Sequence, residues 1–494
     1  MDYSEAGVLG DRLKNGVLFL LYFLCIVVGE AGLLASICFH YGSGWLTFDT
    51  ALAVVFLVFA IVLFFMLWGR ACRKDQTLFV LVAAPLLVGF ALFMMPFAVP
   101  DEFTHINRTF TNQSSASALS VPLQLRDAYE WINGYGTLGG LLDVDFDYSL
   151  TKTTEHVAAR YSEVNYLIPS LVVAAGKLLG INGYILVFAA RLTNAALYLA
   201  ACYWMLGRLP VGRKFAFVFL LNPMLLQQEA SCSADALCNI AILGFVVQLI
   251  AMRLDGKPSL PVRDWAILIA FLALVAVCKY AYLPLALSAV VLYPKIKTRA
   301  VRIAVPFIAL ALAGGAVALL LFRGYGVILA NSIRGFLSDS FFSVLAATVS
   351  QEGMTVLWQF AGGNLGWPYM NHAGTISTVY VPVCWVVFLI VLTLSVLASF
   401  DVKARFKRWE RAGFVVLGLL ESLLLYVALW EGFSGPGPIT WLQGRYFIPP
   451  VFLMLFALIL ARKTPLERIP VKAFAIAMLA INAISLMFVI RWFW

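Results

Sequence analysis

Charge is scarce in this sequence. Only 12% of its 494 residues are Asp, Glu, Lys or Arg, while 62% are hydrophobic and the mean hydropathy is +0.90. A soluble domain carries about twice that share of charge, so a water-soluble fold is excluded. Histidine is scarcer still: His40, His105, His156 and His372 are too dispersed to form a metal-binding box. The eight cysteines, among them Cys202, Cys238, Cys278 and Cys384 inside apolar runs, make no CxxC pair and no disulfide framework. They read as small core residues. There is no P-loop, no GxSxG, and no GxGxxG following a soluble strand, so no nucleotide-sugar domain is expected. Internal repeats and low-complexity tracts are also lacking.

What the sequence has instead is long apolar runs. A helix needs roughly 20 apolar residues to cross a hydrocarbon core about 30 Å thick. Spanning segments are expected at 17–39, 50–69, 77–98, 183–206, 213–225, 234–253, 264–278, 281–293, 301–322, 379–400, 412–430, 446–461 and 472–491. The fold expected is an all-α polytopic membrane bundle of about 11–13 transmembrane helices with a long first outer loop. The first run is too long for a signal-peptide core and lacks a small-x-small cleavage site. Segments 213–225, 264–278 and 281–293 are too short to span alone. Broken helices are tolerated in membranes only where the freed backbone is buried or lines a wet cavity, so these pieces point to a polar site.

The formal net charge of +9 raises the possibility of nucleic-acid binding, but its distribution explains it otherwise. Lys and Arg gather in alternate connecting segments: Arg70, Arg73 and Lys74; Arg208, Arg213 and Lys214; Lys403, Arg405, Lys407, Arg408 and Arg411. The positive-inside rule puts these in the cytoplasm, and no nucleic-acid partner is expected. The chain then divides into N-terminal spans (1–98), an outer loop (99–182), a bundle with broken helices (183–323), a second outer segment (324–378) and C-terminal spans (379–494). Within the outer loop, residues 164–180 carry Pro169 and Lys177 and suit an interfacial helix better than a span. Sequons stand at Asn107 and Asn112.

Candidate chemistry concentrates where the third span meets the outer surface. In FAVPDEFTHINR (97–108), Asp101, Glu102, His105 and Arg108 can share one face of a helix opening at Pro100. They read either as a charged helix cap, favoured by the helix dipole, or as a base near bulk water with its partners. Arg191, Glu229, Asp235, Lys279 and Arg445 lie in or beside apolar segments, where unpaired charge is costly and a functional site is the default reading. A structural ion pair, Lys279 with Asp235 for instance, is the competing one, and Arg445 beside Tyr446 also fits an interfacial anchor. In the expected topology Asp101, Glu229, Asp235, Lys279 and Arg445 fall at the outer leaflet, where a lipid-linked phosphate presents its head. Arg grips phosphate bidentately and Lys adds a point charge.

PDEFTH (100–105), YLIPS (166–170), ARLTN (190–194), NPMLLQQEASCSADAL (222–237), KYAYLP (279–284), NLGW (364–367) and QGRYF (443–447) occur in the order seen in a family of bacterial membrane proteins, number 2142 among the domains of unknown function. The resemblance runs from about residue 75 to 465. That family resembles the GT-C superfamily of membrane glycosyltransferases, among them protein O-mannosyltransferases and the aminoarabinose transferase of lipid A. The resemblance implies a GT-C-like bundle in the plasma membrane, with its active site on the outer face. It implies a polyprenyl-phosphate-linked sugar donor, a cell-surface glycan or lipid acceptor, and inversion at the anomeric centre. Asp101 looks like the catalytic base and Glu102 its neighbour. Lys279 and Arg445 look like donor-phosphate ligands, and His105, Arg108, Arg191, Asp235, Tyr280, Gln443 and Tyr446 are candidates for the surrounding substrate site. No cofactor is expected, although a divalent metal is compatible with this chemistry. Two other readings stay open: a flippase for a polyprenyl-linked glycan, which inverted repeats would favour, and a non-catalytic partner in glycan assembly.

Overall fold

A computed structural model describes residues 3–40, 47–111, 118–122, 146–155, 161–296 (except 258), 364–370, 376–380, 382–430 and 443–493, with isolated positions 124 and 298. The expected span 301–322 and most of the second outer segment lie outside the described residues. The described part is helical: α1 Tyr3–His40, α2 Phe48–Ala71, α3 Asp75–Phe93, α4 Glu102–Thr111, α5 Leu167–Leu178, α6 Gly183–Arg208, α7 Arg213–Leu220, α8 Pro223–Glu229, α9 Asp235–Leu254 and α10 Val262–Cys278. A 3₁₀ run, Tyr280–Lys295, follows, then α11 Pro382–Ala398, α12 Arg408–Trp430, α13 Ile448–Leu458 and α14 Val471–Phe493. Six of these helices are long and apolar enough to cross a membrane. The chain is an all-α polytopic membrane protein. Two small antiparallel hairpins, β1 (Ala118–Pro122) with β2 (Thr151–Glu155) and β3 (Asn364–Met370) with β4 (Ile376–Tyr380), ornament its connections. NLGW, read from sequence only as a motif, begins β3.

Two short spans resolve differently from their sequence reading. The stretch 213–225 is two helices, α7 and α8, broken at Leu221–Asn222. Asn222 caps α8 through Oδ1 accepting from the Met224 amide at 2.8 Å, with Pro223 opening the helix. The carbonyls freed by the break find side-chain donors: the Tyr198 hydroxyl donates to Leu220 O at 2.6 Å and Asn482 Nδ2 to Leu221 O at 2.9 Å. Such satisfaction is what permits irregular backbone at membrane depth. The stretch 281–293, too short to span as an α-helix, is part of the 16-residue 3₁₀ run. At about 2.0 Å rise per residue that run reaches roughly 32 Å, against roughly 24 Å if α-helical, enough to cross.

A proline inside α3 has a similar partner. Pro85 lacks the N–H that would bond Leu81 O, and the Tyr22 hydroxyl of α1 donates to that carbonyl instead, at 2.9 Å. The twelve-residue α5 reaches only about 18 Å and is too short to cross. It lies against α6 because Gly176 has no side chain; a Cβ there would stand 2.0 Å from Leu186 Cδ2.

The bundle has two chemically distinct ends. At one, the basic connecting segments lock together. Arg208 pairs with Asp264 at 2.8 Å, Arg253 with Glu410 at 2.7 Å, Arg411 Nη1 donates to Ala457 O at 3.1 Å, and Lys295 Nζ donates to the Lys257 carbonyl at 2.7 Å. The C-terminus of α3, the N-termini of α6, α9 and α13, and the C-terminus of α10 meet at the other. Single cysteines at exposed Ser149 and Lys403, in a background lacking the native cysteines, test the orientation. Position 149 is expected to react with an impermeant maleimide in intact cells, and position 403 only after permeabilisation. The reverse pattern would invert the topology.

Candidate active site at the end opposite the basic segments

The site begins with a tight turn after α3. Phe97 and Asp101 both have positive φ, 74° and 62°, a region in which Asp is among the better tolerated residues. The turn ends in α4, which opens at Glu102 rather than Pro100, and the Asp101 carbonyl accepts the amide of Thr104 at 3.1 Å. Asp101 and Glu102 are thereby sent in different directions.

Glu102 turns into the bundle. It and Arg191 are both fully buried, bonded twice: Nε to Oε1 at 2.8 Å and Nη2 to Oε2 at 2.5 Å. Glu102 also accepts the Phe97 amide and the Cys232 amide, each at 3.2 Å. Arg191 spends its other N–H groups on the carbonyls of Ala91 (2.9 Å), Met94 (2.6 Å) and Met95 (3.2 Å), capping the end of α3. All five guanidinium protons are used. The pair ties α3, α4, α6 and the turn before α9 into one unit and has no donor or acceptor facing the site.

Asp101 keeps to the mouth of the site, its side chain 38% exposed, and meets Arg445. Arg445 sits in the 3₁₀ turn Gly444–Phe447 that leads directly into α13, and is buried at the centre of the constellation. Its Nη1 donates to Pro100 O at 2.8 Å and Gln228 Oε1 at 3.0 Å, its Nη2 donates to Asp101 Oδ2, and its Nε stands 3.3 Å from Asp235 Oδ2. Asp235, in the first turn of α9 where the helix dipole favours an anion, receives Lys279 Nζ on its other oxygen at 2.8 Å. Lys279 sits in the break between α10 and the 3₁₀ run and lies 4.4 Å above the Tyr446 ring. Gln443 Nε2 donates to Asp101 Oδ2 at 3.4 Å. Two cations and two carboxylates therefore form one continuous chain, Lys279–Asp235–Arg445–Asp101, of which Asp101 is the most exposed member.

A second group lines the α4 side. His105 Nδ1 is 2.7 Å from the Tyr166 hydroxyl, and its ring packs edge-on to Tyr161. Burial pushes the imidazole pKa down to about 4 against the opposing pull of Asp101 and Asp235, so His105 is neutral at physiological pH. Arg108 lies over the Tyr166 ring and donates from Nη2 to Tyr161 O at 3.3 Å, while Nε and Nη1 have no hydrogen-bond partner among the described residues.

Of the residues read from sequence, the structure brings Asp101, Asp235, Lys279, Gln443, Arg445 and Tyr446 together and sets His105 and Arg108 beside them. It places Glu102 and Arg191 in the closed pair. Glu229 is buried close by, with Oε1 accepting from Asn239 Nδ2 at 3.0 Å. The side chain of Tyr280 lies outside the described residues. Asn107 is completely buried in α4, so the sequon there is not accessible, and Asn112 lies outside the described residues. Sequence reasoning missed Gln228, Tyr161 and Tyr166. Gln228 stands in QQE within the broken segment, which was the available signal.

The chain matches the family described as predicted membrane protein, DUF2142, over residues 141–454. It belongs to that family. The DUF2142 stretch contains Arg191, Gln228, Asp235, Lys279, Gln443 and Arg445, but begins after the turn that carries Asp101 and Glu102. It is also shorter than the 75–465 read from motifs. No curated protein and no solved structure matches the chain. Three members of the ion chain, Asp235, Lys279 and Arg445, thus lie inside the matched stretch, and Asp101 lies outside it.

Proposed function

We propose that this protein is a membrane glycosyltransferase of GT-C type. It moves a sugar from a polyprenyl-phosphate donor to a glycan or lipid acceptor at the outer face of the plasma membrane. The observation that carries the reading is the Lys279–Asp235–Arg445–Asp101 chain, sited at the mouth of a membrane bundle and away from its basic end. Arg445 and Lys279 offer the donor phosphate a planar fork and a point charge. The phosphate takes over the Arg445 Nη2 held by Asp101 in the free protein, which releases the Asp101 carboxylate to act as base.

The acceptor hydroxyl then gives its proton to Asp101 while its oxygen attacks the anomeric carbon from the face opposite the phosphate. The carbon–oxygen bond to phosphate breaks, and the electron pair leaves with the polyprenyl phosphate. Arg445 and Lys279 stabilise the charge that develops there. The anomeric centre inverts. Glu102, with all its acceptor positions engaged, positions the Asp101 turn.

Purified protein in liposomes, given radiolabelled polyprenyl-phosphate sugars, is expected to transfer label to an extracted envelope glycan or lipid fraction. Translocation of the labelled lipid across the bilayer without any transfer would overturn the transferase reading in favour of a flippase. Arg445→Ala is expected to weaken binding of the lipid phosphate roughly tenfold or more, and Arg445→Lys to restore it only partly because the fork is lost. Equal affinity in wild type and both variants, by equilibrium binding in detergent, would remove Arg445 from the donor site.

A further inference from the structure

The ion chain fixes the orientation of two buried amides. Gln228 turns Oε1 to the Arg445 guanidinium at 3.0 Å, because the reverse orientation would set two donors face to face. Its other end, Nε2, is a donor without a partner among the described residues. Gln443 turns Nε2 to the Asp101 carboxylate at 3.4 Å, because the reverse would oppose two acceptors. Its Oε1 is an acceptor without a partner among the described residues. Both side chains are more than nine-tenths buried, where an unmade hydrogen bond costs the full desolvation of the group. The Arg445–Asp101 pair is thus flanked by one fixed, unused donor and one fixed, unused acceptor.

We infer that Gln228 and Gln443 are specificity-determining residues that read an uncharged hydroxyl beside the anomeric carbon of the transferred sugar. The inference rests on the transferase reading above. A hydroxyl donates and accepts at once, and satisfies both amides. An ammonium only donates and leaves Gln228 Nε2 facing a donor; a carboxylate only accepts and leaves Gln443 Oε1 facing an acceptor. The amides contact the groups that hold the phosphate and take the proton, so the hydroxyl within their reach is the one at C2, next to the carbon attacked. A site built to bond a hydroxyl discriminates strongly against an analogue lacking it.

The test compares affinities for polyprenyl-phosphoglucose, its C2 epimer polyprenyl-phosphomannose, and the 2-deoxy analogue common to both, by equilibrium binding of radiolabelled lipids to protein in nanodiscs. Wild type is expected to bind one epimer about 10- to 100-fold tighter than the 2-deoxy lipid. In Gln228→Met and Gln443→Met, which keep volume and remove the polar ends, that ratio is expected to fall by about 3- to 10-fold each. Because it is a ratio, contributions of the lipid and phosphate cancel, and folding is checked by monodispersity and thermal unfolding. A wild type that binds neither epimer better than the 2-deoxy lipid, or variants that keep the wild-type ratio, would overturn the assignment. Failure to bind any of the three lipids above the level of an ordinary phospholipid would instead overturn the transferase reading itself.

Discussion

Asp101→Asn is expected to lower sugar transfer by about 10²–10⁴-fold, the usual contribution of a positioned general base, while the protein still folds and binds donor lipid. The amide keeps the size of the side chain and can still accept from Arg445, but it cannot take the acceptor's proton. Little stability is at stake, because the Asp101 side chain is 38% exposed and solvent screens its pairing with Arg445. Transfer rate in liposomes and the unfolding midpoint, measured on the same preparation, separate the two roles open to this residue. A helix-capping Asp would lose stability and keep its turnover. Wild-type turnover in Asp101→Asn would sink the mechanism, whatever else the fold does.

The neighbouring carboxylate is expected to behave in the opposite way. Glu102→Gln leaves Arg191 as an uncompensated cation at 0% exposure, and breaking a buried ion pair on one side costs about 3–5 kcal/mol. Reduced yield of monodisperse protein and a lowered unfolding midpoint are the expected results. Arg191→Met strands Glu102 and also the three carbonyls at the end of α3, so it should be at least as damaging. Since both residues serve one interaction, the double variant should be far less destabilised than the sum of the singles. Additive losses, or a Glu102→Gln protein as stable as wild type, would mean that the pair does not hold the Asp101 turn.

Asp101, Asp235, Lys279 and Arg445 were legible in the sequence because charge at the edge of an apolar run is costly and therefore conspicuous. The same signal was ambiguous for Arg191 and Glu102. Cost alone does not say whether a charge is answered by a ligand or by the protein, and only the distances separate the two cases. The Lys279–Asp235 pair, foreseen as a structural alternative, is present at 2.8 Å, and it is also the link that joins Lys279 to Arg445. Gln228, Tyr161 and Tyr166 gave little signal, since neutral polar residues in short broken segments carry no comparable penalty until their neighbours are known. The one-face reading of Asp101, Glu102, His105 and Arg108 assumed a regular helix from Pro100. The left-handed backbone at Asp101, invisible in a hydrophobicity pattern, divides the four between different partners.

The sequence by itself determined that this protein lives in a membrane, that its chain crosses many times, and that its basic connections alternate with acidic, amide-rich ones. Each follows from a sum over many residues, the transfer of apolar side chains out of water and the placement of Lys and Arg, so no single contact can overturn it. The tertiary structure decided what depends on a few atoms at long separation in the chain. It joined Asp101 to Arg445, 344 positions apart, closed Glu102 onto Arg191, broke 213–225 into two helices, and wound 280–295 into a 3₁₀ run. The reason is that burial in lipid is a bulk property, read from composition and period. Pairing of buried charge is a matter of a few ångströms, settled only when the helices that carry it are packed.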